Sequence, residues 1–148
     1  IKSYQEEPEV YDILVPIPHK SRHHLVYVQV RPGFCNFILK MAQHYEIVLY
    51  TACMAAYGDL VMDAIDPPGE SQEIVSGALH VIDNKFYCKD LTRLGRRMED
   101  VILMDNLPNS YRLQKENALP ISSWQGDYND EELSRLTPLL INLSMDMV

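Results

Sequence analysis

Thr51, Lys89 and the pair Asp105-Asn106 are far apart along the 148 residues, and together they are the side-chain types that handle a phosphoryl group. A hydroxyl and an ammonium can neutralise phosphoryl oxygens, and a carboxylate beside an amide can hold Mg²⁺ through oxygen. All of them fall where an element ends or begins. Thr51 closes the apolar run "YEIVLYT" (45–51), Lys89 opens the segment after "FYC", and Asp105-Asn106 ends "VILMD" (101–105) just before Leu107-Pro108-Asn109. Open α/β sheets bind ligands in the crevice outside the carboxyl ends of their strands, so these positions predict one shared site. Taken singly, each residue has a plainer reading: Thr51 as a helix N-cap, Lys89 as a solvated charge, Asp105-Asn106 as turn residues. Only their combination points to a ligand.

The elements that must carry these residues follow from periodicity. "YDILVPI" (11–17) and "HLVYVQV" (24–30) alternate with period two about the polar stretch "PHKSRHH" and predict a β-hairpin. Phe34, Phe37, Ile38 and Met41 recur at helical spacing after Pro32, which predicts a helix of about three turns. Tyr57, Leu60, Val61, Ala64 and Ile65 mark a second helix, which Asp66-Pro67-Pro68-Gly69 ends. Residues 70–88 read as a small β insert of two or three short antiparallel strands turning at Asp83-Asn84. "DLTRLGRRM" reads as a short helix capped by Asp90, and "ALPIS" (118–122) as a strand. Asn129 is expected to cap a closing helix that Pro138 kinks or restarts. Residues 1–10 are polar and read as a lead-in, leaving 11–148 as one domain. Strand and helix alternate, so the predicted class is α/β: a mainly parallel sheet with helices on both faces, a hairpin near the amino terminus and the β insert.

Composition narrows the function. An apolar content of 47% suffices for a core. A net charge of −8 and a pI near 5 argue against direct binding of nucleic acid, whose phosphates seek cations. Cys35, Cys53 and Cys88 are odd in number and form no Cys-x-x-Cys pattern, which predicts an intracellular, reducing compartment, nuclear or cytoplasmic. No run approaches the roughly 18 apolar residues of a membrane span. A cysteine-phosphatase loop is excluded, because it needs five residues between Cys and Arg, and only four separate Cys88 from Arg93. His23-His24 with Lys20 and Arg22 make a basic hairpin tip without metal-ligand spacing, and Trp124 reads as packed.

Three stretches carry a wider likeness. "VRPGFCNFILKMAQHYEIVLYTA", "YCKDLTRLGRRMEDVILMDNLPNSY" and "NALPISSW" together resemble the catalytic domain of the RNA polymerase II carboxy-terminal-domain phosphatases, in particular the small phosphatase and NLI-interacting-factor-like branch of the haloacid dehalogenase superfamily. The likeness runs from about Tyr11 to Leu140. It implies a Mg²⁺-dependent protein serine/threonine phosphatase working through an aspartyl phosphate. Its substrates would be phosphoserine or phosphothreonine proteins, with the polymerase tail as one candidate. It also implies roles: Thr51 and the adjoining Ala52 backbone bind the phosphoryl oxygens, Lys89 steadies the phosphate, and Asp105 with Asn106 completes the Mg²⁺ site.

The sequence departs from that pattern at the nucleophile. The family's first strand carries Asp-x-Asp-x-Thr, the first Asp attacking phosphorus and the second acting as general acid and base. No Asp-x-Asp occurs in these 148 residues. The resemblance therefore implies that this polypeptide has no turnover alone, and that a gap opens between the strands ending at Thr51 and Asp105. Residues 1–10 are too polar to fill it. Either the catalytic strand lies outside these residues, or the protein is a pseudophosphatase or a protein-binding module like the presequence receptor of the mitochondrial inner-membrane translocase. The insert is short of arginine. Arg93, Arg96 and Arg97 are the basic residues that could serve in its place, although an exposed helix charge is the commoner explanation for any one of them.

Overall fold

A computed structural model describes the chain apart from residues 1, 20–21, 52–57, 59, 62, 65–72, 77–78, 83–85 and 147–148, and describes residues 19, 22, 51, 73–76, 79–82, 86, 87 and 146 by backbone alone. The hairpin forms as expected. Strands β2 (Ile13–His19) and β3 (Arg22–Gln29) pair antiparallel from Ile13 opposite Val28 to His19 opposite Arg22. Period two sends Ile13, Val15, Ile17, Val26 and Val28 into an apolar cluster with Val61, while Leu14 and Leu25 stay on the outer face. The polar lead-in is not structureless: Lys2–Tyr4 forms strand β1, antiparallel to the far side of β3. Buried Gln29 makes that edge worthwhile, accepting from the Tyr4 hydroxyl at 2.9 Å and donating to the Val10 carbonyl at 2.7 Å.

Pro32 lies in the turn before helix α1 (Phe34–Met41), which starts after Gly33. Gly33 has φ 78°, a left-handed conformation that glycine adopts without strain. The helix has eight residues, shorter than the three turns expected. It buries Phe37 and Met41 against Leu133 and Leu140 of the closing helix α2 (Glu132–Asp146). Asp130 rather than Asn129 serves the start of α2, its Oδ1 accepting from Glu132 N at 3.2 Å, whereas the Asn129 amide donates to Asp127. The restart expected at Pro138 as the alternative to a kink does not occur, since α2 is one helix from Glu132 to Asp146. Pro138 sits on the exposed face, and the buried anchors Leu133 and Leu140 hold the turns on either side of it.

Between these helices the strands come in pairs. Strand β4 (Val48–Thr51) pairs in parallel with β5 (Glu73–Ser76), and β8 (Leu103–Asp105) pairs in parallel with β9 (Ala118–Pro120). The sequence predicts an insert that is antiparallel throughout. Instead only β6 (Leu79–Ile82) and β7 (Phe86–Lys89) are, since β5 leaves the insert to join β4. Gly58, Leu60, Val61, Asp63 and Ala64 are helical, in accord with the second predicted helix, whose Tyr57, Ile65 and terminating residues 66–69 lie outside the described residues, as does the turn at Asp83-Asn84. Asp90 caps a short 3₁₀ turn, Leu91–Leu94, in place of the longer helix predicted there. Among the described residues no ladder joins β4 to β8. A groove of about 480 Å³ runs between them, at the place where the sequence predicts a gap.

One polar knot locks the ends of this framework together. Arg31, buried at the exit of the hairpin, donates through Nε and Nη2 to the two Asp130 oxygens at 2.7 Å each, and to the Ser122 carbonyl and hydroxyl at 2.8 and 2.9 Å. The fork geometry of a guanidinium suits such a bidentate grip.

Candidate functional site

Lys89 reaches the site because both its neighbour and its own backbone are fixed. Cys88 is fully buried, and the Lys89 amide donates to the Ser110 carbonyl at 2.8 Å, tying the end of β7 to the loop after β8. From there the ammonium donates to Asp105 Oδ2 at 2.5 Å and lies 5.9 Å from the centre of the Tyr50 ring. The pair is nearly dry, with side-chain exposures of 14% for Lys89 and 7% for Asp105. The other Asp105 oxygen accepts from Leu107 N at 2.7 Å. Turn chemistry and charge pairing are thus done by one carboxylate, so the turn reading of Asp105 holds and its other oxygen serves Lys89.

Asn106 stands beside it, exposed, with its amide nitrogen donating to Ser123 Oγ at 2.9 Å. Thr51 ends β4 opposite Ser76, one residue beyond Tyr50; its side chain, and all of Ala52, lie outside what is described. Lys89, Asp105 and Asn106 therefore meet at one rim, with the backbone of Thr51 at the end of the strand that supplies Tyr50. Arg96 pairs with Glu46 at the edge of the groove, and Arg97 pairs with Glu99 and Asp100 on the surface. That leaves Arg93, whose charge bears on the Tyr50 phenol.

Tyr50, Gln114 and Ser123 are additions that the sequence reading lacks. Burial raises the Tyr50 phenol above its ordinary value, opposed by its hydrogen bond to the Asp90 carbonyl at 3.4 Å and by Arg93. Asp90 Oδ1 accepts from the Thr92 amide at 3.1 Å, the Thr92 hydroxyl at 2.7 Å and Gln114 Nε2 at 3.3 Å, while Gln114 Oε1 accepts from Leu91 N. The turn that follows Lys89 is therefore held from two sides. The one signal for Tyr50 is its place directly before Thr51; Gln114 and Ser123 carry no comparable signal. Burial also raises the Cys88 thiol, which keeps it protonated and unreactive at neutral pH, consistent with excluding a cysteine nucleophile.

Mg²⁺ seeks six oxygens at near-octahedral angles, commonly with one or two carboxylates among them. Among the described residues no cluster of three His, Cys, Asp or Glu could supply a cage. Asp105 and Asn106 offer one carboxylate and one side-chain amide oxygen, fewer than such a cage needs, and both Asp105 oxygens already accept from Lys89 and Leu107.

Pairs of parallel strands with a lysine and a carboxylate at their carboxyl rim define an α/β domain with a charged site at its strand ends. The chain belongs to the NLI interacting factor-like phosphatase family, whose model matches residues 1–147. It is 40% identical over 135 residues to the human CTD small phosphatase-like protein, covering 91% of this chain and 49% of that one. To the mouse carboxy-terminal domain RNA polymerase II polypeptide A small phosphatase 2 it is 38% identical over 133 residues, covering 90% and 49%. The fold matches that of the fission yeast RNA polymerase II CTD phosphatase Fcp1, solved bound to beryllium fluoride, with a TM-score of 0.61 at 19% identity over 90% of this chain and 40% of that one. The fold is accordingly haloacid-dehalogenase-like. The chain spans about half the length of the curated relatives it matches.

Proposed function

We propose that these residues form part of a Mg²⁺-dependent protein serine/threonine phosphatase, acting on phosphoserine or phosphothreonine in a protein such as the RNA polymerase II tail, in a reducing compartment. The observation that supports it is the Lys89 ammonium held against Asp105 at the rim shared by β4, β7 and β8. In this reading Lys89 neutralises phosphoryl oxygens, Thr51 and the Ala52 backbone bind them, and Asp105 orients the Lys89 head. Asp105 and Asn106 hold Mg²⁺ jointly with carboxylates of an Asp-x-Asp-x-Thr strand that is not among these residues. When bound, the ion stabilises negative charge on the transferring group. Catalysis proceeds through an aspartyl phosphate on that strand, so these 148 residues alone have no turnover.

The test is hydrolysis of a small phosphate ester in Mg²⁺. The 148-residue chain is expected to be inactive, and a polypeptide extended ahead of residue 1 by a strand bearing Asp-x-Asp-x-Thr is expected to turn over. Lys89→Met in the extended form should lower kcat by about 10²-fold or more, the scale set by removing one transition-state donor. Turnover by the short chain, or an extended form indifferent to Lys89, overturns the reading. A second reading, a protein-binding module of the same fold, is favoured by the open groove between β4 and β8.

A further inference from the structure

We propose that the outer face of the sheet β1–β3–β2 docks a cationic amphipathic helix of a partner protein, its apolar stripe on Leu14 and Leu25 and its Lys or Arg residues against Glu6, Glu7 and Glu9. The inference goes beyond the phosphatase reading and stands without it. An antiparallel sheet with one wet side is normally polar on that side, but here both faces are apolar. The inner face fills the cluster with Val61, while on the outer face Leu14 stands opposite Tyr27 and Pro16 opposite Leu25. Leu14 and Leu25 are 42% and 45% exposed, and exposed Tyr11 meets the Tyr27 ring edge-on at 5.0 Å. Gln29, further along the same face of β3, is buried with Gly126 against it, so the loop ahead of α2 covers that end and leaves the leucines open.

The backbone of this sheet is already laddered, and Pro16 and Pro18 deprive the edge strand β2 of donors, so an extended peptide would find few main-chain partners there. A helix needs none, because its backbone bonds are internal. Neighbouring strands about 4.8 Å apart give this sheet a width of about 10 Å, one helix diameter, and rows about 7 Å apart along β3 match helix anchors about 6 Å apart at i and i+4. The charge of the occupant follows from the segment ahead of β2. Glu6, Glu7 and Glu9 are exposed and, among the described residues, have no ion pair. Burial first, and then the Glu7 carboxylate, raise the Tyr27 phenol, which puts the acidic end beside the Tyr11–Tyr27 pair. The same glutamates oppose an anionic membrane and, with a net charge of −8, a second copy of this chain.

The experiment titrates the 148-residue chain into a fluorescein-labelled helical peptide of about 18 residues, with Leu at i, i+4, i+7 and i+11 and Lys on its flanks, read by fluorescence anisotropy. Saturable binding is expected. Leu14→Ser and Leu25→Ser, each with an unchanged circular-dichroism melt, should weaken it about tenfold or more, whereas Leu139→Ser, at an exposed position of α2, should leave it as it was. Glu6→Gln, Glu7→Gln and Glu9→Gln together should weaken it and remove most of its salt dependence, and they test the same surface without touching a strand. The proposal is overturned by absence of saturable binding, by Leu14 and Leu25 variants or a triple glutamine variant that bind like the unaltered chain, or by an equal loss from Leu139→Ser. Tighter binding to phosphatidylserine vesicles than to the peptide, or a dimer in sedimentation equilibrium that Leu25→Ser disperses, overturns it as well. The peptide carries no phosphate and none of these residues stands at the Lys89 rim, so this test and the hydrolysis test can each fail alone.

Discussion

Lys89 and Asp105 sit in a setting where a charge without its partner is costly. Removing one member of a nearly dry pair strands the other, whereas replacing both by apolar groups of similar size costs far less. Lys89→Met is therefore expected to destabilise the chain by about 3 kcal/mol in urea unfolding, and Lys89→Met with Asp105→Leu by less than the single change. A double variant that loses as much as the sum of its parts would mean the two side chains do not act as a pair. Although singly each has a plainer reading, together the two residues stand out in the sequence, as a carboxylate ending an apolar run and a lysine at an element boundary. Tyr50 does not, since a tyrosine inside an apolar strand looks like core until the ammonium is seen against its ring.

At the scale of elements, the Arg31 knot joins the exit of β3 to the loop ahead of α2, linking parts of the chain about a hundred residues apart. The Arg31 guanidinium holds the Asp130 carboxyl below its ordinary value, chiefly through their hydrogen bonds. A carboxyl lowered on folding contributes stability above its unfolded value of about 3.9, and that contribution is lost as pH falls through the lower folded value. Thermal unfolding between pH 7 and pH 3 should thus fall more steeply in the unaltered chain than in Asp130→Asn; equal slopes would remove the knot from the acid response. The elements themselves are largely legible: hairpin, α1, β4, β8, β9 and the Asp90 cap lie where alternation and capping chemistry put them. The misreadings share a cause. The strand in residues 2–4, the parallel partnership of β5 and the unbroken helix through Pro138 are each decided by a distant neighbour, β3, β4 and the α1 face respectively, to which local pattern is blind.

For the molecule as a whole, two apolar clusters carry the stability, one under the hairpin and one between α1 and α2. Phe34 packs against both. Phe34→Ala should cost about 2 kcal/mol, less than a fully buried phenylalanine, and should also lower the denaturant m-value as the clusters come apart separately. An unchanged m-value would show that other contacts suffice to couple them. That no Asp-x-Asp pair, which the resemblance leads one to expect, occurs in these residues is visible at this scale in the sequence itself. The groove's size and lining are not, since they depend on how two strand pairs settle around the space.

The main-chain bond from Lys89 to Ser110 has a mechanical meaning. It plants one end of the β6·β7 ribbon beside the rim that holds Asp105 and Asn106. Any displacement of β6 and β7 would therefore turn about a Lys89 main chain that Ser110 holds fast, and would leave the ammonium beside Asp105.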